Sequence, residues 1–156
     1  MAKVKAVPQG YRTITPNLVC RDSAAAIDFY KKVFNATEKV RMQGPDGKIA
    51  HAELQIGDSS IFLNDPMQHG PGTERPASPS LTHLHLYLEN VDDFYNRAVD
   101  AGAKIIMPLQ DMFWGDRYGL VEDPFGQRWS MATHIEDVSS EEMKKRQKAM
   151  FAKAAG

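Results

Sequence analysis

One cysteine, Cys20, is all the chain contains. An intrachain disulfide framework is therefore excluded, and the cytoplasm is the default compartment. Cys20 falls at an apolar strand position with no neighbouring base, so it reads as a buried, inert thiol. No stretch approaches the roughly 18 apolar residues of a membrane span. The first ten residues have no apolar segment of the secretory type. Neither sign of charge dominates, with 19 Lys and Arg against 20 Asp and Glu for a net charge of −1. A nucleic-acid footprint would need a basic stripe, so neither nucleic acid nor membrane is expected as a partner. What is present is ordinary for a globular chain: 42% hydrophobic and 25% charged residues over 156 positions, enough for one real core.

The most informative stretch is 82–89, Thr-His-Leu-His-Leu-Tyr-Leu-Glu. Leu84, Leu86 and Leu88 alternate with His83, His85 and Tyr87, the period-2 pattern of a strand with one apolar and one polar face. Two imidazoles and a phenol are unusual on a solvent-facing strand and suggest a lined pocket.

Taken in order, residues 12–20 read as a strand with Ile14, Leu18 and Cys20 on one face and Thr13, Thr15 and Asn17 on the other. Pro16 places that strand near an edge. Asp22 is an N-cap for a helix over Ser23–Phe34, with Ile27, Tyr30, Val33 and Phe34 inward and Asn35 as a left-handed stop. A short strand over 39–42, the turn Gly44-Pro45-Asp46-Gly47, a strand over Ile49–Ile56 and one over 60–64 complete a βαβββ unit. In the third of these strands Ala50, Ala52, Leu54 and Ile56 are expected inward, opposite His51, Glu53 and Gln55. Residues 66–81, rich in proline, read as a linker. The order of elements then returns. The His83 strand is followed by Asn90 as N-cap and a helix over 91–101 with Phe94, Ala98 and Ala101 inward, stopped by Gly102. Strands over 104–108, 113–122 and 128–133 follow, the last after the turn Asp123-Pro124-Phe125-Gly126. A duplication this short implies that neither half buries its sheet alone. Ser139 and Glu142 form a capping box opening a Lys-rich helix to about Lys153, docked on its own domain or on a dimer partner.

The expected fold class is therefore α+β: tandem βαβββ modules with a curved mixed sheet around a cleft, plus a C-terminal helix. The expected organisation is an N-terminal segment (1–10), one domain over 11–134 and the C-terminal helix over 135–156. Within the domain, module one spans 11–65, the linker 66–81 and module two 82–134. If each helix covers the aliphatic strand face, the polar faces line the cleft. Candidate ligand-binding residues are then Thr15, Asn17, His51, Phe62, Tyr87, Trp114, Arg117, Arg128 and Ser130. Trp114 and Trp129 are expected to need cover. Candidate catalytic residues are His83, His85 and Glu53, one imidazole as general base, Glu53 orienting it, and Arg117 or Arg128 holding an anion. Asp116 and Arg117 read as an ion pair or turn contact near Trp114, and His69 and His134 as surface residues.

Two such modules, with Phe29-Tyr30 on the first helix and Asp123-Pro124-Phe125-Gly126 before the last strand, resemble the vicinal-oxygen-chelate superfamily, which contains glyoxalase I, fosfomycin- and bleomycin-resistance proteins and extradiol dioxygenases. Ile14-Thr15-Pro16, Arg41-Met42, Pro45-Asp46-Gly47-Lys48-Ile49, His51-Ala52-Glu53-Leu54, Phe113-Trp114-Gly115-Asp116-Arg117 and Ala132-Thr133-His134 are similar to its PhnB-like branch. The resemblance spans 11–134 and implies paired modules, commonly a homodimer, and often a divalent metal. Its metal-using members draw ligands from the first and last strands of each module. Those positions here carry Thr15, Phe62, His83 and Ser130. Only His83 ligates a transition metal well, and three or four ligands are usual, so the usual metal site is expected to be lost and no cofactor is required. His83 and His85, two apart on one face, still permit a rearranged divalent site with Glu53 or His51. The leading expectation is a metal-independent protein binding a small organic molecule. The alternatives are a metal-dependent lyase, isomerase or dioxygenase, and a protein-interaction scaffold.

Overall fold

A computed structural model describes residues 4–66 and 82–156. The linker expected over 66–81, Pro66 apart, and His69 within it lie outside the described residues. The chain divides at residues 79 and 80 into two compact units, each built on one four-stranded mixed sheet.

In the first unit the order is β1 (Asn17–Val19), α1 (Ser23–Phe34), β2 (Thr37–Gln43), β3 (Ile49–Ile56) and β4 (Ser59–Asn64). The sheet runs β1-β4-β3-β2, with β1 parallel to β4 and the other pairs antiparallel. Helix α1 starts where Asp22 accepts from the Ala25 amide and stops at Asn35, which takes φ 55°. Its inward stripe of Ile27, Tyr30, Val33 and Phe34 is buried, as are Ala52, Leu54, Ile61 and Leu63 of the sheet. Each large apolar side chain so covered is worth about 1.5–3 kcal/mol.

Two expectations for this unit are corrected. Regular strand pairing begins only at Asn17, so Ile14 stands 82% exposed rather than facing inward. In β3 it is Ile49 that is buried, while Ala50 is exposed. The pairing passes from Met42↔His51 to Gln43↔Ile49, so Ala50 is the extra residue of a bulge, and a bulge resets which residues face the core.

The second unit repeats the plan with β5 (His83–Tyr87), α2 (Val91–Asp100), β6 (Lys104–Asp111), β7 (Asp116–Glu122) and β8 (Arg128–His134), then adds α3 (Ser140–Ala154). The sheet runs β5-β8-β7-β6, with β5 parallel to β8. The match extends to single bonds. In unit one the Ser23 amide that opens α1 donates to Asp65, just past β4. In unit two the Val91 amide that opens α2 donates to Thr133 Oγ1 near the end of β8.

The buried stripe of α2 is Val91, Tyr95 and Ala98, not Phe94, Ala98 and Ala101. Tyr95 fits because Gly119 of β7 has no side chain: a Cβ there would lie 2.5 Å from the Tyr95 ring. The Tyr95 hydroxyl donates to the Met107 carbonyl, and Phe94 instead lies under the Arg97 guanidinium. Trp129 is buried, and its Nε1 donates to Asp123. The same Asp123 carboxylate accepts from the Phe125 and Gln127 amides, which explains the Asp-Pro-Phe-Gly turn.

Candidate functional site

Strand pairing sets which side chains share the face away from each helix. In unit two His83 lies opposite Arg128, His85 opposite Ser130 and Tyr87 opposite Ala132. Across the next pairing, Arg128 lies opposite Glu122 and Ala132 opposite Tyr118. Directly paired residues share a face, so the open face carries His83, His85, Tyr87, Tyr118, Arg128 and Ser130 together.

The centre of this face is His85. Its Nδ1 lies 2.8 Å from Ser130 Oγ, its ring stacks on Tyr118 at 6.0 Å between centroids, and Tyr87 meets it edge-on at 4.6 Å. Trp114, in the turn before β7, packs edge-on against Tyr118 at 5.8 Å. Partial desolvation among its ring neighbours lowers the His85 imidazole from its ordinary value, with Asp116 opposing in part.

Beneath the rings sits Asp116, only 4% exposed. It accepts from the Tyr87 hydroxyl at 3.3 Å and from Trp114 Nε1 at 3.1 Å. His134 Nδ1 lies 2.8 Å from its second oxygen, and His134 Nε2 is 2.8 Å from Asp137. With a carboxylate at each nitrogen, first Asp137 and then Asp116, the His134 imidazolium is held above its ordinary range. The negative charge of Asp116 raises the Tyr87 phenol in turn.

Arg117 lies apart from these residues. Adjacent strand residues point to opposite faces, so Arg117 cannot pair with Asp116. It forks onto Asp92 of α2 through Nε and Nη2, both at 2.8 Å, and reaches Asp111 with Nη1 at 3.1 Å. The Asp116–Arg117 ion pair expected from the sequence is thus replaced by two separate networks, although the contact between Asp116 and Trp114 is present.

On unit one the open face gathers Asn17, Phe62 and Glu53 in one row of paired residues, flanked by His51. Glu53 accepts from the Tyr11 hydroxyl and lies 3.0 Å from His51 Nε2. These two bonds, Tyr11 first, hold its carboxyl below the ordinary range. The Phe62 ring contacts His51 at 4.9 Å and Tyr11 at 6.1 Å. Asn17 donates to Asn64 instead, and Thr15 sits half-buried just before β1.

The sequence reading did not single out Tyr11 or Tyr118. Tyr118 was accessible to it, since Asp116, Tyr118, Leu120 and Glu122 alternate along one strand. Tyr11 was not, because it precedes the first strand and no pattern assigns it a face.

Residues 13–131 match the Glyoxalase/Bleomycin resistance protein/Dioxygenase superfamily. The chain belongs to that superfamily. An uncharacterised Mycobacterium bovis protein is 43% identical over 134 residues, covering 83% of this chain and 88% of that one. The crystal structure of TioX from Micromonospora sp. ML1 superposes with TM-score 0.64 at 27% identity, over 80% of this chain and 100% of that chain. The fosfomycin resistance protein FosX from Mesorhizobium loti shares the fold, with TM-score 0.59 at 17% identity over 78% of this chain and 91% of that one.

Members of this superfamily often hold a metal, and the donor set here does not fit one. The positions that the sequence resemblance assigns to the family's ligands offer a threonine, a phenylalanine, a histidine and a serine: Thr15, Phe62, His83 and Ser130. His83 is paired across the sheet with the cation Arg128, which opposes a divalent ion, and the Ser130 hydroxyl is already engaged by His85. Among the described residues, no group of three or more His, Cys, Asp or Glu side chains is placed to hold a metal ion. No helix among them is long and apolar enough to cross a membrane.

Proposed function

We propose that this superfamily member binds a small organic molecule on the open face of its second module, without the family's usual metal. The observation that carries this reading is the cluster of His85, Tyr87, Tyr118 and Trp114 around a buried carboxylate. Tyr87 is 67% exposed, and exposed rings backed by polar partners favour a planar guest over bulk water. Thr15, Asn17, His51 and Phe62 form the corresponding face of module one in this reading. Residues 11–134 act as one functional domain of the PhnB-like branch, in a cytoplasmic homodimer.

A thermal-shift screen with planar aromatic ligands on EDTA-treated protein tests the proposal. A ligand that stabilises the native chain should lose its effect in Tyr87→Ala and Trp114→Ala. Ligands whose shifts are unchanged in both variants would place binding elsewhere.

One observation favours a second reading. The series Tyr11–Glu53–His51 has the form of an oriented base, with Glu53 holding the imidazole. In that reading the chain is a lyase or isomerase using His51 for proton transfer. The sequence assigned Glu53 to orient His83 or His85; here its bonds go to Tyr11 and His51.

A further inference from the structure

Next to the ring cluster on module two lies a second row of paired residues on the same face: His83 opposite Arg128, Arg128 opposite Glu122, and Glu122 opposite Lys104. Arg128 Nε donates to Glu122 at 3.2 Å. Its two Nη groups and the His83 ring have no hydrogen-bond partner among the described residues. The Arg128 side chain is only 25% exposed, so one edge of a guanidinium fork is held in place while the rest remains free. Planar forks of this kind match carboxylates in pairs of hydrogen bonds. The row contains two cations, Arg128 and Lys104, against one carboxylate, Glu122. Its surplus of a single positive charge suits a monoanion better than a phosphate dianion.

Resting on the small-molecule reading above, we propose that the ligand class is an aromatic monocarboxylate, its ring against Tyr87, His85 and Tyr118 and its acid at Arg128 and His83. The two rows are two residues apart along β5, about 6.4–6.8 Å, a span that a short aryl-alkanoic acid bridges.

The test uses benzoate, phenylacetate and 3-phenylpropanoate beside their primary amides, titrated into the full chain at low salt and followed by calorimetry and saturation-transfer NMR. The acids should bind about tenfold more tightly than the amides. Arg128→Gln should remove the preference, bringing the acids down toward the affinity of the amides. Arg128→Lys keeps the charge without the fork and should retain part of the preference, and thermal melts establish that both variants fold. Tyr87→Ala should weaken acids and amides alike. Equal binding of acids and amides, a preference that survives Arg128→Gln, or competition by inorganic phosphate as strong as by benzoate would overturn the assignment. If acids and amides bind equally and both are lost in Tyr87→Ala, the acid is wrong and the small-molecule reading stands. If no aromatic probe binds the folded chain, both fall.

Discussion

Single side chains in this protein are positioned by what they accept and donate more than by their place in the alternation. Asp116 holds Tyr87, Trp114 and His134 at once, and Asp123 closes the hairpin turn while accepting a hydrogen bond from the Trp129 indole N–H. Trp129→Ala should therefore cost about 3–5 kcal/mol in chemical denaturation, the usual range for emptying a large aromatic site. It also removes the indole N–H that donates to Asp123. Glu53 is a milder case, since its carboxyl is lowered chiefly by the Tyr11 hydroxyl and then by His51. Tyr11→Phe should raise the Glu53 carboxyl toward its ordinary value, measured by carbon-detected NMR titration; an unmoved titration would remove Tyr11 from the site. A depressed carboxyl contributes stability that is present above its unfolded value and lost as pH falls through the folded one. The native-minus-Tyr11→Phe difference should accordingly shrink toward acid pH. Sequence alone showed Glu53, His51, His85 and Ser130 sharing polar faces, but not which acid meets which imidazole, because alternation fixes a face and leaves the reach of a side chain open.

At the scale of elements, helices were more legible than strands. Asp22, Asn35, Asn90 and Ser139 are local capping signals, and α1, α2 and α3 begin or end at them. Strand faces depend on non-local pairing, which is why the Ala50 bulge and the late start of β1 were not visible in the residues themselves. The α2 stripe differs from the expected Phe94, Ala98 and Ala101 for a related reason: only the missing side chain at Gly119 makes room for Tyr95. Helix α3 buries no residue. It is tied instead by Arg146, which forks onto Glu136 and donates to the Phe113 carbonyl. Surface ion pairs of this kind are screened by solvent and contribute little, so Arg146→Ala should leave the urea midpoint nearly unchanged. A larger loss would mean that α3 carries packing beyond these contacts. The residues leading to α3 carry a pH dependence through His134. Its folded value is raised above the ordinary 6.5 by Asp137 and Asp116. Its contribution is therefore complete below about 6.5 and disappears as pH rises through the folded value. Comparing native protein with His134→Asn across that interval should show the stability difference closing with rising pH, and a constant difference would contradict the bridging role.

For the whole molecule, the duplication is visible in sequence as two cap-to-stop distances and in structure as two sheets of the same strand order. The equivalent pairs Asn17↔Phe62 and His85↔Ser130 occupy the same place in each unit, yet one is an amide beside a phenyl ring and the other an imidazole bonded to a hydroxyl. The modules share a scaffold and have diverged in chemistry, in a superfamily whose members often use metal. Module two is proposed to bind its ligand without a metal ion. Elemental analysis of protein purified without a His tag, paired with ligand-induced thermal shifts before and after EDTA, tests it most directly. Substoichiometric zinc, nickel, manganese and iron are expected, with ligand shifts that EDTA leaves unchanged. Stoichiometric metal that is lost in the His83→Ala/His85→Ala double variant, together with ligand shifts abolished by EDTA, would contradict it.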